Sequence, residues 1–270
     1  MIEEENDMKN ELFSIGPVTV YGYGLMMALG IVTAYSLLEY RARKKGLDAD
    51  KVFTMTICAV LCGLVGAKVL YLVTRLGDLI ADPSVFADCL KDGFVVYGGI
   101  IGGILGAMLA CKVKKLPFLT IFDLTVPGLA LAQGIGRIGC LLAGCCYGME
   151  VSDTCAIAIT FTDSAYAPNN IPLLPTQIIS SLLNILHFAV LMLLSRKLKK
   201  EGQVAGFYLV FYSIGRFVLE YFRGDLIRGN VGTFTTSQFI SLFIVLAGLF
   251  MIFVLPKLGK KKEISEETQI

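Results

Sequence analysis

Seven long apolar runs constrain this chain more than any other feature of its sequence. A helix needs about 20 mostly apolar residues to cross the roughly 30 Å hydrocarbon core of a bilayer. The runs that approach or exceed this length are Val18–Leu38, Val52–Val73, Phe94–Cys111, Phe118–Leu142, Pro172–Leu194, Val204–Phe222 and Ser237–Leu255. Because 55% of the residues are hydrophobic and only 17% are charged, an ordinary soluble domain is excluded. The sequence predicts an all-α integral membrane protein with seven transmembrane helices.

The charges between the runs predict the orientation of these helices. Lysines and arginines cluster after the first, third, fifth and seventh runs, and the intervening loops are acidic instead. Cytoplasmic loops carry the excess of basic residues, so the N-terminus is expected outside and the C-terminus inside. The two longer outer loops, 76–93 and 145–171, have room for short interfacial helices.

The predicted domain organisation is simple. We expect an acidic N-terminal extension over 1–14, a single seven-helix membrane domain over 15–256 and a solvated cytoplasmic tail over 257–270, in which basic residues precede acidic ones.

Ionisable residues inside membrane spans are costly and mark candidate functional positions. Five of them stand out in the second, fourth and sixth runs, and the predicted orientation places these five in the outer half of the membrane. They are Lys68, Arg137, Arg216, Glu220 and Arg223. A purely structural interpretation pairs Arg216 with Glu220 and lets Lys68 and Arg223 reach the interface. The excess of cations over acids favours instead an anionic guest, and guanidinium groups suit the phosphate of a phospholipid headgroup.

Glycines and cysteines are concentrated in two segments. The stripe of small residues from Gly98 to Gly106 is typical of close helix packing. The segment 134–148 combines many glycines with Cys140, Cys145 and Cys146, which could form a metal site, a disulfide or a reactive thiol. Because the only histidine is His187 and no Cys-x-x-Cys pair is present, we expect no metal.

Several motifs together resemble the prolipoprotein diacylglyceryl transferase family over nearly the whole chain. They are Ile15-Gly16-Pro17-Val18-Thr19-Val20-Tyr21-Gly22-Tyr23-Gly24, Gly66-Ala67-Lys68, Tyr97-Gly98-Gly99, Gly136-Arg137-Ile138-Gly139-Cys140 continuing to Gly148, Pro175-Thr176-Gln177, and Arg216 to Arg223. The seven-helix, N-out topology of that family agrees with the topology predicted from the loop charges.

The resemblance implies an enzyme that transfers the diacylglyceryl group of phosphatidylglycerol to the lipobox cysteine of a prolipoprotein and releases glycerol 1-phosphate. It also implies a multi-pass protein of the bacterial cytoplasmic membrane with its active site facing the extracytoplasmic side. The implied catalytic residues are Arg137, Arg216 and Tyr97. The implied substrate-binding residues are Tyr23, Lys68, Gly98, Gly99, Cys140, Gly148, Tyr212, Glu220 and Arg223. Expected partners are phosphatidylglycerol, the prolipoprotein signal peptide and membrane lipids, with no nucleic acid and no cofactor, and the protein is expected to be a monomer.

The chain departs from the family pattern at chemically important positions. Tyr97 stands where the family has histidine, Cys140 replaces a signature asparagine, Cys145 replaces a glutamate and Leu174 replaces a second histidine. Two alternatives to the transferase therefore remain open. One is a related membrane enzyme with another phospholipid or acceptor that uses a cysteine of this cluster as nucleophile. The other is a non-catalytic lipid-binding or transport bundle.

Overall fold

A computed structural model describes residues 11–15, 18–82, 84, 86–91, 93–225 and 230–257. In these ranges the chain forms nine helices and three two-stranded antiparallel sheets. The helices are α1 (Gly22–Lys44), α2 (Ala49–Thr74), α3 (Leu76–Ala81), α4 (Phe86–Lys91), α5 (Val96–Lys114), α6 (Phe118–Leu142), α7 (Thr176–Lys197), α8 (Gln203–Glu220) and α9 (Thr236–Phe253). Most of the predicted extension and nearly all of the predicted tail lie outside the described residues.

Every predicted apolar run overlaps one long helix. Six of these helices, α1, α2, α5, α6, α7 and α9, are long and apolar enough to cross a membrane. The seventh, α8, has 18 residues, and Arg216 and Glu220 lower its hydropathy. A mostly helical membrane protein is therefore confirmed, whereas the count of seven crossings and their direction stay predictions. The short helices α3 and α4 lie in the loop 76–93, which was predicted to hold such elements.

The start of the first predicted helix is wrong by four residues. Strand β1 (Glu11–Ile15) pairs antiparallel with β2 (Val18–Tyr21), and α1 begins only at Gly22. The β-branched residues of the sequence Val-Thr-Val favour a strand over the first turn of a helix. The extension predicted over 1–14 accordingly includes most of a hairpin strand rather than only solvated chain.

The fifth predicted helix also begins later than expected. Strand β4 (Pro172–Leu173) pairs with β3 (Ile159–Thr160), and α7 starts at Thr176 after the cap residue Pro175. Proline lacks a backbone N–H and therefore fits best at a helix start, where that group has no partner within the helix, which agrees with this boundary. A third hairpin joins β5 (Asn230–Val231) to β6 (Phe234–Thr235) immediately before α9.

The chain forms two compact units, residues 1–37 with 122–270 and residues 38–121. In the second unit, α2 and α5 pack backbone against backbone. A Cβ atom added to Gly98 would lie less than 3.0 Å from the carbonyl oxygen of Gly66, and one added to Gly102 would lie equally close to that of Cys62. Because real Cβ atoms do not approach so closely, glycine is required at both positions. The predicted packing stripe is thus confirmed.

The first unit has its core where α6, α7 and α8 meet. The buried residues of this core are Val126, Ala130, Leu191, Val204, Ala205 and Tyr208. Asp123 of α6 accepts hydrogen bonds from the backbone N–H groups of Gly202 (2.7 Å) and Ala205 (2.8 Å) at the start of α8. A carboxylate stabilises these otherwise unpaired amides and the positive end of the helix dipole. The contact fixes the start of α8 against α6.

Candidate active site

The turn that ends α6 has an unusual backbone. The helix stops at Leu142, and the next residues reverse direction through Gly144, which has a φ of +68°. Cys146 also has a positive φ, of +59°. This left-handed conformation is uncommon for a residue with a Cβ atom and costs on the order of 1–3 kcal/mol, and such positions cluster at functional sites.

The start of α7 holds this turn in place. Thr176 donates its hydroxyl hydrogen bond to the carbonyl of Cys146 (3.0 Å), and the Gln177 amide donates to the carbonyl of Cys145 (3.0 Å). Gln177 is only 1% exposed, so this bond is shielded from water. A Cβ atom on Gly148 would lie less than 3.0 Å from the carbonyl oxygen of Leu174, so glycine is required there too. The Pro175-Thr176-Gln177 motif therefore positions the cysteine turn.

Arg216 is held by a buried network on α8 and α9. Its Nη2 lies 2.7 Å from Oε2 of Glu220, and both side chains are largely buried, with 14% and 5% exposed. The same nitrogen donates to Oγ of Ser237 at 2.9 Å, and Glu220 accepts a bond of 3.1 Å from the hydroxyl of Thr235. The predicted internal ion pair is confirmed, and it orients the guanidinium group rather than leaving it mobile.

Arg223 follows the end of α8 and pairs with Asp225, an acid outside the predicted site residues. Its Nε lies 2.7 Å from Oδ1 of Asp225, and its Nη2 contacts the other oxygen of the same carboxylate. Gly148 forms an isolated antiparallel bridge with Arg223, and the N–H of Gly224 donates to the carbonyl of Tyr147 (3.1 Å). The cysteine turn and the end of α8 are thereby joined through their backbones.

The cations of this unit converge. Arg137 and Arg223 both lie within electrostatic range of Arg216, and Tyr23 of α1 lies within range of Arg137. Arg216 and Arg223 each have a carboxylate partner, but among the described residues Arg137 has none. The cluster thus carries excess positive charge around a half-buried guanidinium group. Such a site suits a phosphate, which accepts several charge-assisted hydrogen bonds.

Three thiols lie beside these arginines. The Sγ atoms of Cys140, Cys145 and Cys146 are all within 4.8 Å of one another, so the cysteines that were grouped from the sequence also meet in the structure. The thiols of Cys140 and Cys145 donate hydrogen bonds to Cys146, and together with the nearby Arg223 and Arg137 they lower the pKa of the Cys146 thiol. All eight cysteines belong to the described residues, and none forms a disulfide.

Tyr212 of α8 lies in an aromatic row. Its ring stacks on that of Tyr208 with centroids 5.9 Å apart, and Tyr208 stacks in turn on His187 at 5.3 Å. Tyr208 is buried and accepts a hydrogen bond of 2.9 Å from the Gln133 amide. Tyr212 is also within electrostatic range of Arg216, so its predicted position on the face of the arginine is consistent with the structure.

The other four predicted site residues belong to the second unit. Lys68 donates hydrogen bonds from Nζ to the carbonyls of Cys89 (3.2 Å) and Gly93 (2.9 Å), and Nζ lies 4.3 Å from the ring centroid of Phe94. Gly98 is buried between α2 and α5. The remaining two are Gly99, which is half-buried, and Tyr97, which is 37% exposed in the first turn of α5. Lys68 and Gly98 thus have well-defined structural contacts.

Comparison with known proteins places the chain in a family. Residues 10–254 match the family model described as prolipoprotein diacylglyceryl transferase. The chain belongs to this family. A phosphatidylglycerol–prolipoprotein diacylglyceryl transferase of Clostridium tetani is 46% identical over 244 residues, which cover 90% of this chain and 96% of that protein. The family resemblance predicted from the motifs is therefore confirmed.

Two further relatives extend this comparison. A protein of Clostridium perfringens has the same description followed by the numeral 2. It is 44% identical over 260 residues, which cover 96% of this chain and all of that protein. One from Staphylococcus aureus is 29% identical over 251 residues, which cover 89% of this chain and 86% of that protein. The similarity to the clostridial proteins spans both units of the chain.

Proposed function

We propose that this chain transfers the diacylglyceryl group of phosphatidylglycerol to the lipobox cysteine thiol of prolipoproteins. The family and the names of its relatives support this activity, and they agree with the transferase predicted from the motifs. It is accordingly a membrane enzyme of lipoprotein biosynthesis. The observation that carries the proposal at the level of chemistry is Arg137, a half-buried cation without a carboxylate partner among the described residues, beside two other arginines.

In the proposed reaction the acceptor sulfur attacks the glyceryl carbon that bears the phosphate. As the acceptor thiol loses its proton to solvent, the C–S bond forms, the C–O bond to phosphate breaks, and glycerol 1-phosphate leaves with the electron pair. Arg137 and Arg216 stabilise the charge that develops on the leaving phosphate. Glu220 and Ser237 keep Arg216 in position, since both contact its Nη2. Tyr23 and Tyr212 donate hydrogen bonds to the headgroup.

The membrane arrangement is part of the proposal. We assign seven crossings to α1, α2, α5, α6, α7, α8 and α9, with the N-terminus outside and the arginine cluster in the extracytoplasmic half. The basic residues after the first, third, fifth and seventh runs support this orientation. The cytoplasmic ends of α1 and α5 thereby carry the exposed Arg43 and Lys112. The proposed enzyme acts as a monomer, and the substrate roles of Lys68, Tyr97, Gly98 and Gly99 stay predictions from the resemblance.

A transfer assay tests the proposal. The purified protein in detergent is mixed with phosphatidylglycerol labelled in its acyl chains and with a lipobox peptide, and the lipidated peptide is measured by mass. We expect a thioether-linked diacylglyceryl peptide and an equal amount of glycerol 1-phosphate. A peptide with serine in place of the lipobox cysteine is the matched control and remains unmodified.

Two outcomes contradict the proposal. Transfer from a different phospholipid in preference to phosphatidylglycerol would identify a related enzyme with another donor. Movement of labelled lipid across reconstituted vesicles without any covalent product would identify a lipid-transporting bundle instead.

A further inference from the structure

The reaction proposed above uses none of the three thiols at the end of α6, although the family resemblance implied a substrate-binding position for Cys140. Cys140, Cys145 and Cys146 are only half-buried, so an ion or a substrate can reach them. The carbonyl groups of Cys145 and Cys146 accept hydrogen bonds from Gln177 and Thr176 of α7, and that of Cys140 accepts one from the N–H of Cys145. The sulfur atoms are thus held near one another by structure outside the thiols themselves.

The spacing of the sulfur atoms fits a single metal ion. A Zn–S bond of about 2.3 Å places the sulfurs of a tetrahedral or trigonal site about 4 Å apart. All three Sγ atoms already lie within 4.8 Å of one another. A disulfide would use only two of the three and leave the convergence of the third unexplained. Catalytic zinc sites commonly have three protein ligands and one open position.

The surrounding charge also suits such an ion. Three thiolates and one divalent cation carry one net negative charge. Arg223 and Arg137 lie within electrostatic range of Cys146 and compensate it. Because Cys146 holds a left-handed φ of +59°, the turn keeps a strained conformation that directs this residue to the cluster.

We propose that Cys140, Cys145 and Cys146 bind one Zn²⁺ ion, and that the open fourth position of this ion takes the thiol of the acceptor cysteine. The inference rests on the proposed function, since that function supplies the acceptor thiol. It departs from the expectation of no metal, which depended on the absence of a Cys-x-x-Cys pair and of a suitable histidine.

The zinc ion would take the place of the histidine base that the family has and this chain lacks. A thiol that coordinates zinc is deprotonated outright, so the acceptor needs no histidine base where Tyr97 stands. Its proton passes to solvent as the Zn–S bond forms. The zinc-bound sulfur then forms the C–S bond as the C–O bond to phosphate breaks, and the thioether product, a weak ligand, leaves the ion. The oxidation state of every atom is unchanged.

Cobalt substitution tests the site without relying on activity. Reduced, metal-stripped protein in detergent is titrated with Co²⁺, which reports thiolate ligands in a tetrahedral site by visible and near-ultraviolet absorption. We expect saturation at one equivalent. The variant with serine at all three positions should lose the bands, and Cys155→Ser, the matched control, should keep them. The absence of thiolate bands in the wild-type protein, or their persistence in the triple variant, would overturn the site.

The acceptor thiol is tested on the same cobalt-loaded protein. Adding the lipobox peptide should shift the visible bands, whereas its serine counterpart should leave them unchanged, and equal spectra with both peptides would overturn the role of the fourth position.

Full transfer by metal-stripped wild-type protein would likewise remove the zinc step and leave the proposed function standing. A peptide-sensitive cobalt site in a protein that never transfers lipid would reject the proposed function instead. A mass lower by two hydrogens in freshly isolated protein, without bound metal, would replace the zinc site with a disulfide.

Discussion

The two units of this chain use a half-buried cation in opposite ways. Lys68 of α2 directs its ammonium group to two backbone carbonyls, those of Cys89 and Gly93, and so ties the segment before α5 to the helix. Arg137 of α6 has no carboxylate partner in the described part of the chain and lies near a cluster of further cations. A cation that donates to backbone carbonyls indicates a structural role. A cation that lies near other cations without a carboxylate partner indicates a site for an anionic ligand.

The largest effect is expected from Arg137→Ala. Removing a charged donor that stabilises a developing anion typically lowers kcat by about 10²–10³-fold, and the fold should persist because no ion pair among the described residues is broken. The transfer assay and a thermal unfolding curve in detergent measure the two quantities. Arg137→Lys keeps the charge without the planar fork and should retain intermediate activity. Activity of Arg137→Ala near the wild-type value would show that Arg137 does not act on the substrate and so does not differ from Lys68 in that respect.

Glu220→Gln should destabilise the protein by about 3 kcal/mol, because it leaves Arg216 buried without its carboxylate. Activity should fall as well, since Arg216 loses one of the two groups that orient it. Thermal unfolding in detergent checks the prediction. The matched control is Glu39→Gln, whose ion pair with Arg43 has the same i, i+4 spacing but is more exposed, at 26% for Glu39 and 65% for Arg43, and contributes at most about 1 kcal/mol. Equal losses for the two variants would mean that burial of the Arg216 pair has no consequence.

In the second unit, the close packing of α2 against α5 predicts a loss of stability when a glycine at this contact is replaced. Gly98→Ala introduces a methyl group less than 3.0 Å from the carbonyl oxygen of Gly66, which forces α2 and α5 apart and should cost about 1–3 kcal/mol. Gly77→Ala in α3, where a Cβ atom meets nothing within 4 Å, is the control and should be neutral or slightly stabilising. Unfolding temperatures of the two variants provide the measurement, and a neutral Gly98→Ala would show that the helices separate without cost.

The smallest effect on transfer is expected from Lys68→Met, which keeps the apolar length of the side chain. It removes two hydrogen bonds from a charged donor and should lower stability by about 2 kcal/mol. Cleavage of the 76–93 loop by added protease should become faster, while transfer falls far less than in Arg137→Ala. A loss of transfer as large as that of Arg137→Ala would give Lys68 the substrate-binding role predicted from the sequence.

The sequence predicts the long helices well because their signal is local. Each apolar run is long enough to require a helix in a membrane, and the ends of α6 at Phe118 and Leu142 agree with the prediction. The hairpin before α1 was missed because the apolar run continues through it and hides the change from strand to helix. Here hydropathy alone carries no information about backbone conformation.

The site was predicted in its charges but not in its partners. Arg216 and Glu220 are one helical turn apart, so their contact follows from spacing. The pair between Arg223 and Asp225 depends on the turn after α8, and the convergence of the thiols depends on the positive φ values of Gly144 and Cys146. Asp225 follows Arg223 by only two residues, and this proximity was the available signal. Thr235 and Ser237 join the network through tertiary packing, which spacing does not report.

Asp123 is a shared reference point for α6 and α8, which carry Arg137 and Arg216, because it belongs to α6 and binds the start of α8. Arg137 lies fourteen residues beyond it on α6, or about 21 Å, and Arg216 lies eleven residues beyond Ala205 on α8, or about 16 Å. The distance of each guanidinium group from the Asp123 contact, measured along its helix, is therefore set by the number of residues between them. Inserting a single residue between that point and either arginine would rotate its side chain by about 100° and raise it by about 1.5 Å, so the interval in each helix acts as a fixed measure of length.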